Sequence, residues 1–587
     1  MHKTIQRVLA PQGQRVHSKL TEGPGEPHLW RDDLGVDLSI GVTDRSSGRV
    51  DVTESRTLNS ADTGAVGDRS VEGDFDADGG PTIRGGSNAL ADRLAGARAL
   101  LRLVHLTDTH VIDASSPARA EFVQLAAASD PRWEIMVPMF RPQELLQQHA
   151  LAAMVSTIRA ARFAPVSGDP LDVVIVTGDC IDNAQRNELD AYLALLDGGT
   201  VHLAYEGVQS VAWNSALGDG ASRDLVREPG RFWCPDPSFD DYWKRAYGFP
   251  SFPGLLEAID TPIVSEGLGI DWLGVVGNHD WLRQGTAKTT PKLEEIAVGS
   301  LKSTGIPPGF LPDDALTAFL EEPASYNVGA PTRLVRADAG RAGIASDDFI
   351  RAHIESAARA EGDRGVGRVR GHGFGDDVNQ IRPDYVADFG EVRIIAIDTN
   401  HSAGHYQGSV GRAQLLWLED RLIESKNVYV LIASHHPTEA LTNETKAPGF
   451  ADDRVLAGPV AALLHRHACV IGWLTGHRHH HRVKAHRDPQ GVNPGFWEIT
   501  TSSIIDWPSQ ARIVEVLQLA DGQIVLASTI IDHDGVVDPG LGAAESLLGL
   551  AGVHREIAAA NAVQRGESFL RRAPGRTLDR NVILPVR

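Results

Sequence analysis

Six short apolar runs rich in β-branched residues punctuate the chain beyond about position 95: 100–106, 171–176, 272–276, 392–397, 428–433 and 469–474. Each is apolar nearly throughout rather than alternating, the pattern of a strand buried on both faces. Stretches with helical periodicity lie between several of them, at 144–162, 413–425 and 460–467. Strands that alternate with helices predict an α/β core. Further on, runs 512–519 and 523–531 flank a turn containing Asp521-Gly522, which predicts an antiparallel hairpin. A helix over 543–562 and an irregular tail complete the reading.

Residues 1–95 are rich in Gly, Asp and Ser and carry little that could build a core, so they read as a loop-rich N-terminal extension. The principal domain is expected over 96–540, followed by a C-terminal helix and tail over 541–587. The gaps from Asp179 to Asn278 and from His279 to His435 are several times the roughly 30 residues of a strand–helix unit. Insertions are therefore expected near 195–265 and 300–385. The first contains an aromatic, Pro-rich stretch at 231–259. Such insertions serve as walls or lids of a cleft, or as surface decoration, and the sequence favours neither.

Composition narrows the function. At 587 residues and 42% hydrophobic, the chain can bury a sizeable core. A formal charge of −21 argues against a general nucleic-acid surface, which needs clustered Lys and Arg. A small anionic substrate stays compatible, because local groups set the field inside a cleft. Three cysteines (Cys180, Cys234 and Cys469) exclude a disulfide framework and fit a reducing compartment. The first residues have no apolar segment of signal-peptide length and no Arg-Arg pair, and no run of about 18 apolar residues occurs. The expectation is a cytoplasmic protein without a membrane span. No internal repeat is visible, and nothing speaks to oligomeric state.

Five polar fragments each follow one of these apolar runs: Asp108-Thr109-His110, Gly178-Asp179-Cys180-Ile181-Asp182-Asn183, Gly277-Asn278-His279-Asp280, Ser434-His435-His436-Pro437 and Gly476-His477-Arg478-His479. A D-x-H or G-D after a strand is weak evidence by itself, since Asp also caps helices. G-N-H-D is far more specific. Together the five supply carboxylate, imidazole and amide donors at the carboxyl ends of strands, where α/β sheets gather their chemistry.

This order of motifs resembles the calcineurin-like metallophosphoesterase superfamily. Segments 105–122, 177–192, 247–258, 275–282, 370–377, 499–516 and 579–584 further resemble a long-insertion bacterial group within it. The resemblance implies a four-layer α/β/β/α sandwich and two metal ions. Asp108, His110 and His479 would complete one site and Asn278, His435 and His477 the other, with Asp179 shared. His436 is the alternative to His435, against which the H-x-P spacing counts. So nitrogen-rich a donor set suits Mn, Fe, Zn or Co rather than Ca or Mg. Two divalent ions ~3.5–4 Å apart activate a bridging hydroxide and draw charge from a phosphoryl group. The resemblance makes His279 the acid that protonates a leaving group, and Asp280 beside it is expected to orient its imidazole. Arg119, Asp182, Asn183 and Gln185 are candidates to line the pocket, with helix capping and surface pairing as the alternative. Purple acid phosphatases carry Tyr where this chain has Asp182, so their colour is not expected. Phosphoprotein phosphatases carry Arg after the motif Asp, where Asn183 and Ala184 stand here. The implied activity is hydrolysis of a small phosphorylated substrate, a phosphodiester slightly ahead of a monoester or nucleotide. A metal-binding scaffold without turnover is the competing class.

Overall fold

The six apolar runs fold as strands Arg98–Leu106, Val173–Thr177, Trp272–Val275, Val392–Ala396, Tyr429–Ala433 and Val470–Thr475. In a computed structural model, the described residues run from 98 to 586, apart from 124–129, 140, 204–232, 236, 238–241, 365–368, 402, 446–452, 538 and 541. Before them, 29–30, 94, 96 and 97 are described. Most of the N-terminal extension and much of the first insertion therefore lie outside the described residues.

The strands divide between two sheets. Arg98–Leu106, Val173–Thr177 and Trp272–Val275 are parallel neighbours at one side of a seven-stranded sheet. The hairpin forms as Gln510–Gln518 with Ile524–Asp532, and its first strand pairs antiparallel with Arg98–Leu106. In the six-stranded sheet, Val392–Ala396, Tyr429–Ala433, Val470–Thr475 and Phe496–Thr500 run parallel, edged by antiparallel Tyr385–Phe389 and Arg482–His486.

One core lies between the sheets, where Leu431, Ala433, Ile471 and Leu474 join Val514, Val516 and Leu526. The Trp497 indole donates across the gap to the carbonyl of Pro585 at 2.9 Å. On the outer face of the second sheet, Ile395, Ile432 and Trp473 pack on Leu418 and Leu422 of helix Arg412–Glu424 and on Val460, Leu463 and Leu464 of helix Ala457–His465. Each such fully buried aliphatic side chain contributes ~1.5–3 kcal/mol. Helices Gln147–Ala161 and Leu547–Gln564, largely buried, cover the first sheet. The layers are thus α/β/β/α.

The expected irregular tail is corrected. Val582–Pro585 is a buried strand that pairs antiparallel with Ile524–Asp532 and parallel with Leu29–Trp30. A four-residue apolar run carries no periodicity of its own; only pairing with distant strands makes it one. The second insertion packs inward. Its Phe319 and Tyr326 join Phe122, Trp133 and Met136 in a small core. Fully buried Arg341 donates to Asp113 at 2.7 Å, and Lys302 donates to the Ser116 carbonyl at 2.9 Å. It is clamped to the loop that follows the first motif. No helix among the described residues is long and apolar enough to cross a membrane.

Candidate metal centre

Parallel strands end at a common edge, so the first sheet delivers Asp108, Asp179 and Asn278 side by side, and the second brings His435, His477 and His479 against them. The chain turns sharply as it leaves these strands. Asp108, His110, Asp179, His477 and His479 all have positive φ, between 41° and 65°. Non-glycine residues there cost roughly 1–3 kcal/mol each and persist where the surroundings over-determine them, typically at functional sites. Two glycines allow the loops to close. A Cβ on Gly277 would lie 2.1 Å from the Asp179 amide nitrogen, and one on Gly476 would lie 2.5 Å from Asp108 Oδ2.

The donors converge. Asp108, His110 and His479 offer ligand atoms within 4.8 Å of one another, and so do Asp108, Asp179 and His435. Nε2 of His479 is 3.1 Å from Asp108 Oδ1. Asp179 Oδ2 stands between the two groups, 3.6 Å from His110 Nε2 and 3.1 Å from His435 Nε2. The His477 ring lies 5.1 Å from that of His435, centroid to centroid.

Three buried polar atoms at this centre have no hydrogen-bond partner: His110 Nε2, His435 Nε2 and Asn278 Oδ1. Each side chain is held by its other end. His110 Nδ1 meets Asp182 Oδ1 at 3.0 Å, His435 Nδ1 meets the Thr177 carbonyl at 2.8 Å, and Asn278 Nδ2 donates to the Gly285 carbonyl at 2.9 Å. Orphaned acceptors in a buried site are costly unless something fills them. Burial pushes His110 down to about 4, which leaves the ring neutral near pH 7. A neutral ring whose Nδ1–H donates to Asp182 turns an open lone pair inward from Nε2. The donor set fits divalent metal ions.

No family model matches the chain. It is 29% identical over 126 residues to the manganese-dependent ADP-ribose/CDP-alcohol diphosphatase of Xenopus tropicalis, a stretch that covers 21% of this chain and 33% of that protein. The Xenopus laevis protein of the same name is 28% identical over 126 residues, 21% of this chain and 32% of its own length. The chain thus spans about a third of the length of the curated relatives it matches. Among solved structures, a dimetal phosphatase from Danio rerio aligns over 74% of this chain and 100% of its own, with 12% identity and a TM-score of 0.31. The matched stretch resembles metal-dependent phosphohydrolases of the calcineurin-like metallophosphoesterase superfamily.

Beside its donors, the centre carries carboxylates whose supporting role sequence spacing did not assign. Asp182 Oδ1 lies 3.0 Å from His110 Nδ1 and 3.2 Å from His279 Nδ1. Burial opposes its ionisation, but Arg119 and the hydrogen bonds from His110 and His279 outweigh that and hold the carboxyl well below its ordinary range. For His279, burial lowers the imidazole, while the Asp179 charge and Asp182 more than compensate and raise it above its usual value. Asp506, beyond all five motifs, meets His479 Nδ1 at 2.7 Å. Only the habit of ligating histidines to lean on a carboxylate could have flagged it, and that habit sets no spacing.

Other expectations change at this centre. Asp280 does not orient His279. Its carboxylate accepts the backbone N–H groups of Gly277 at 2.6 Å, Asp179 at 3.1 Å, Cys180 at 2.7 Å and Ile181 at 3.2 Å. The short 3-10 turn Asn278–Asp280 points it back into the neighbouring loop, which it ties down. Arg119 and Asn183 face inward rather than toward a pocket. Fully buried Arg119 donates to Asp182 at 2.6 Å and Glu144 at 2.8 Å, while Asn183 Nδ2 donates to Glu188 at 2.6 Å. Gln185 is buried too, accepting from Ser116 at 2.5 Å and Arg283 at 3.1 Å. His436 has both ring nitrogens engaged, with Thr399 Oγ1 at 2.8 Å and the Tyr406 carbonyl at 3.1 Å.

Proposed function

We propose that this chain is a binuclear metal-dependent phosphoesterase. The observation that carries the reading is Asp179 Oδ2 lying between His110 Nε2 and His435 Nε2. In this reading Asp108, His110 and His479 hold one ion and Asn278, His435 and His477 the other, with Asp179 common to both. Manganese is our first choice among Mn, Fe, Zn and Co, because both Xenopus relatives are manganese-dependent diphosphatases by name. A bound pair of divalent ions supplies an activated water and withdraws charge from phosphoryl oxygens.

The protein's own residues do the rest. His279, part-exposed at the rim, is the acid that delivers its Nε2 proton to the departing oxygen. Its Nδ1 meets the Asp182 carbonyl at 2.9 Å, which fixes the ring's direction. Asp280 holds the Gly277 and Asp179 loops at fixed separation through four backbone contacts. All seven donors and His279 are present, which favours an enzyme over an inert scaffold.

The substrate we favour is a small molecule with a doubly substituted phosphate, either a phosphodiester or one phosphorus of a diphosphate diester like those the relatives are named for. The three cysteines, all buried and none in a disulfide among the described residues, support a reducing, cytoplasmic setting. Likeness of the quoted segments supports the long-insertion bacterial group. The test is turnover by Mn²⁺-loaded protein of a bis-aryl phosphate, an aryl monophosphate and ADP-ribose in parallel. Faster cleavage of the first or third is expected. Preference for the monophosphate would move the reading to a phosphomonoesterase, and no turnover of any, with two ions bound, would leave the scaffold.

A further inference from the structure

The C-terminal helix Leu547–Gln564 belongs to no motif, yet its end reaches the metal centre. Arg565, its C-cap residue, donates to Asp506 Oδ2 at 2.7 Å. The same oxygen meets His479 Nδ1 at 2.7 Å. Asp506 is 1% exposed, and its other oxygen is 3.1 Å from Gln143 Nε2 and 3.3 Å from Arg141 Nε. Gln143 also donates to Asn561 of the helix at 3.3 Å, so the helix touches this carboxylate by two routes. The Arg565 guanidinium is itself fixed, 3.7 Å above the Phe569 ring.

We propose that Asp506 and Arg565 are positioning residues that couple the packing of this helix to the metal site containing His479. The inference rests on the metal-binding reading above. Arg565 sets the Asp506 carboxylate, and the carboxylate accepts Nδ1–H of His479. That selects the tautomer whose Nε2 lone pair faces Asp108 Oδ1, 3.1 Å away. Removing the Arg565 charge leaves the carboxylate less firmly held and the imidazole freer to turn. Loss of such an outer partner typically weakens metal binding about 10–100-fold. By reciprocity, metal at this site stabilises the docked helix by the same factor.

The decisive measurement is Mn²⁺ titration of full-length, metal-stripped protein, following free Mn²⁺ by electron paramagnetic resonance. Wild type should bind two ions. Arg565→Gln should weaken one of them about 10-fold or more and leave the other nearly unchanged, and Arg565→Lys should recover part of the loss. Two ions bound by Arg565→Gln with wild-type affinity would overturn the coupling alone. A wild type that binds no Mn²⁺ would overturn the metal reading and the coupling together. Should Arg565→Gln fail to fold, amide hydrogen exchange of wild type decides. Added Mn²⁺ should slow exchange across 547–564, and unchanged exchange there removes the proposal.

Discussion

Asp182 holds His279 from two directions: its carbonyl oxygen lies 2.9 Å from the imidazole Nδ1 and its carboxylate Oδ1 3.2 Å from the same atom. Arg119 braces that carboxylate at 2.6 Å. The imidazole ring lies 4.5 Å from that of His110. An imidazole raised by carboxylates and fixed at Nδ1 keeps a proton on Nε2 to give away. His279→Ala should therefore keep its metal content and lose about 10²–10⁴ in kcat. Steady-state kinetics with elemental analysis of the same sample checks this; unchanged kcat removes the acid role.

Asp179→Asn tests the shared donor. Converting Oδ2 to an amide nitrogen removes the anion common to both donor groups. At least one of the two ions should be lost on gel filtration in metal-free buffer, with activity following it. Retention of both by elemental analysis would contradict the bridge.

Two adjacent histidines should behave differently. His435 has an unpartnered Nε2, whereas His436 spends both nitrogens on Thr399 and Tyr406. We expect His435→Ala to bind one ion fewer. His436→Ala should retain both ions and lose about 1–3 kcal/mol of stability through the partners it leaves buried. Metal stoichiometry and urea midpoints separate the two, and reversed behaviour would exchange the assignments.

Acid stability should depend on a carboxylate far from the motifs. Asp197 accepts from Ser356 at 2.5 Å, Trp272 at 2.9 Å and His372 at 3.0 Å. Burial raises its pKa, but His372, Ser356 and Trp272 prevail and bring it to about 2. A folded-state pKa below the unfolded value of ~3.9 means stability that is present above about pH 4 and lost as pH falls toward 2. Wild type should lose roughly 2 kcal/mol more than Asp197→Asn across that interval. Parallel acid limbs in urea denaturation would refute the assignment.

Asp280 shows where neighbourhood in sequence misleads. It follows His279 directly, yet three of its four hydrogen bonds run to amides 99 to 101 positions away, because the 3-10 turn sends consecutive side chains in different directions. Asp182, nearly as far from His279 in the chain, is the residue that touches it. The strands were legible because burial on both faces leaves an unbroken apolar run, as in Val173–Thr177. Val582–Pro585 and Asp506 were not, since a short edge partner and a supporting carboxylate need no regular spacing.

The order of residues along the chain carried the α/β alternation and the candidate donors, because both are local: a buried strand writes its own composition, and each donor leaves such a strand within a few positions. Which imidazole nitrogens stay open, which carboxylates brace them and how the last helix meets His479 were decided only in three dimensions. Those contacts join segments 27 to 258 residues apart, and hydrogen-bond direction depends on how loops with positive φ aim their side chains. No periodicity records that aim.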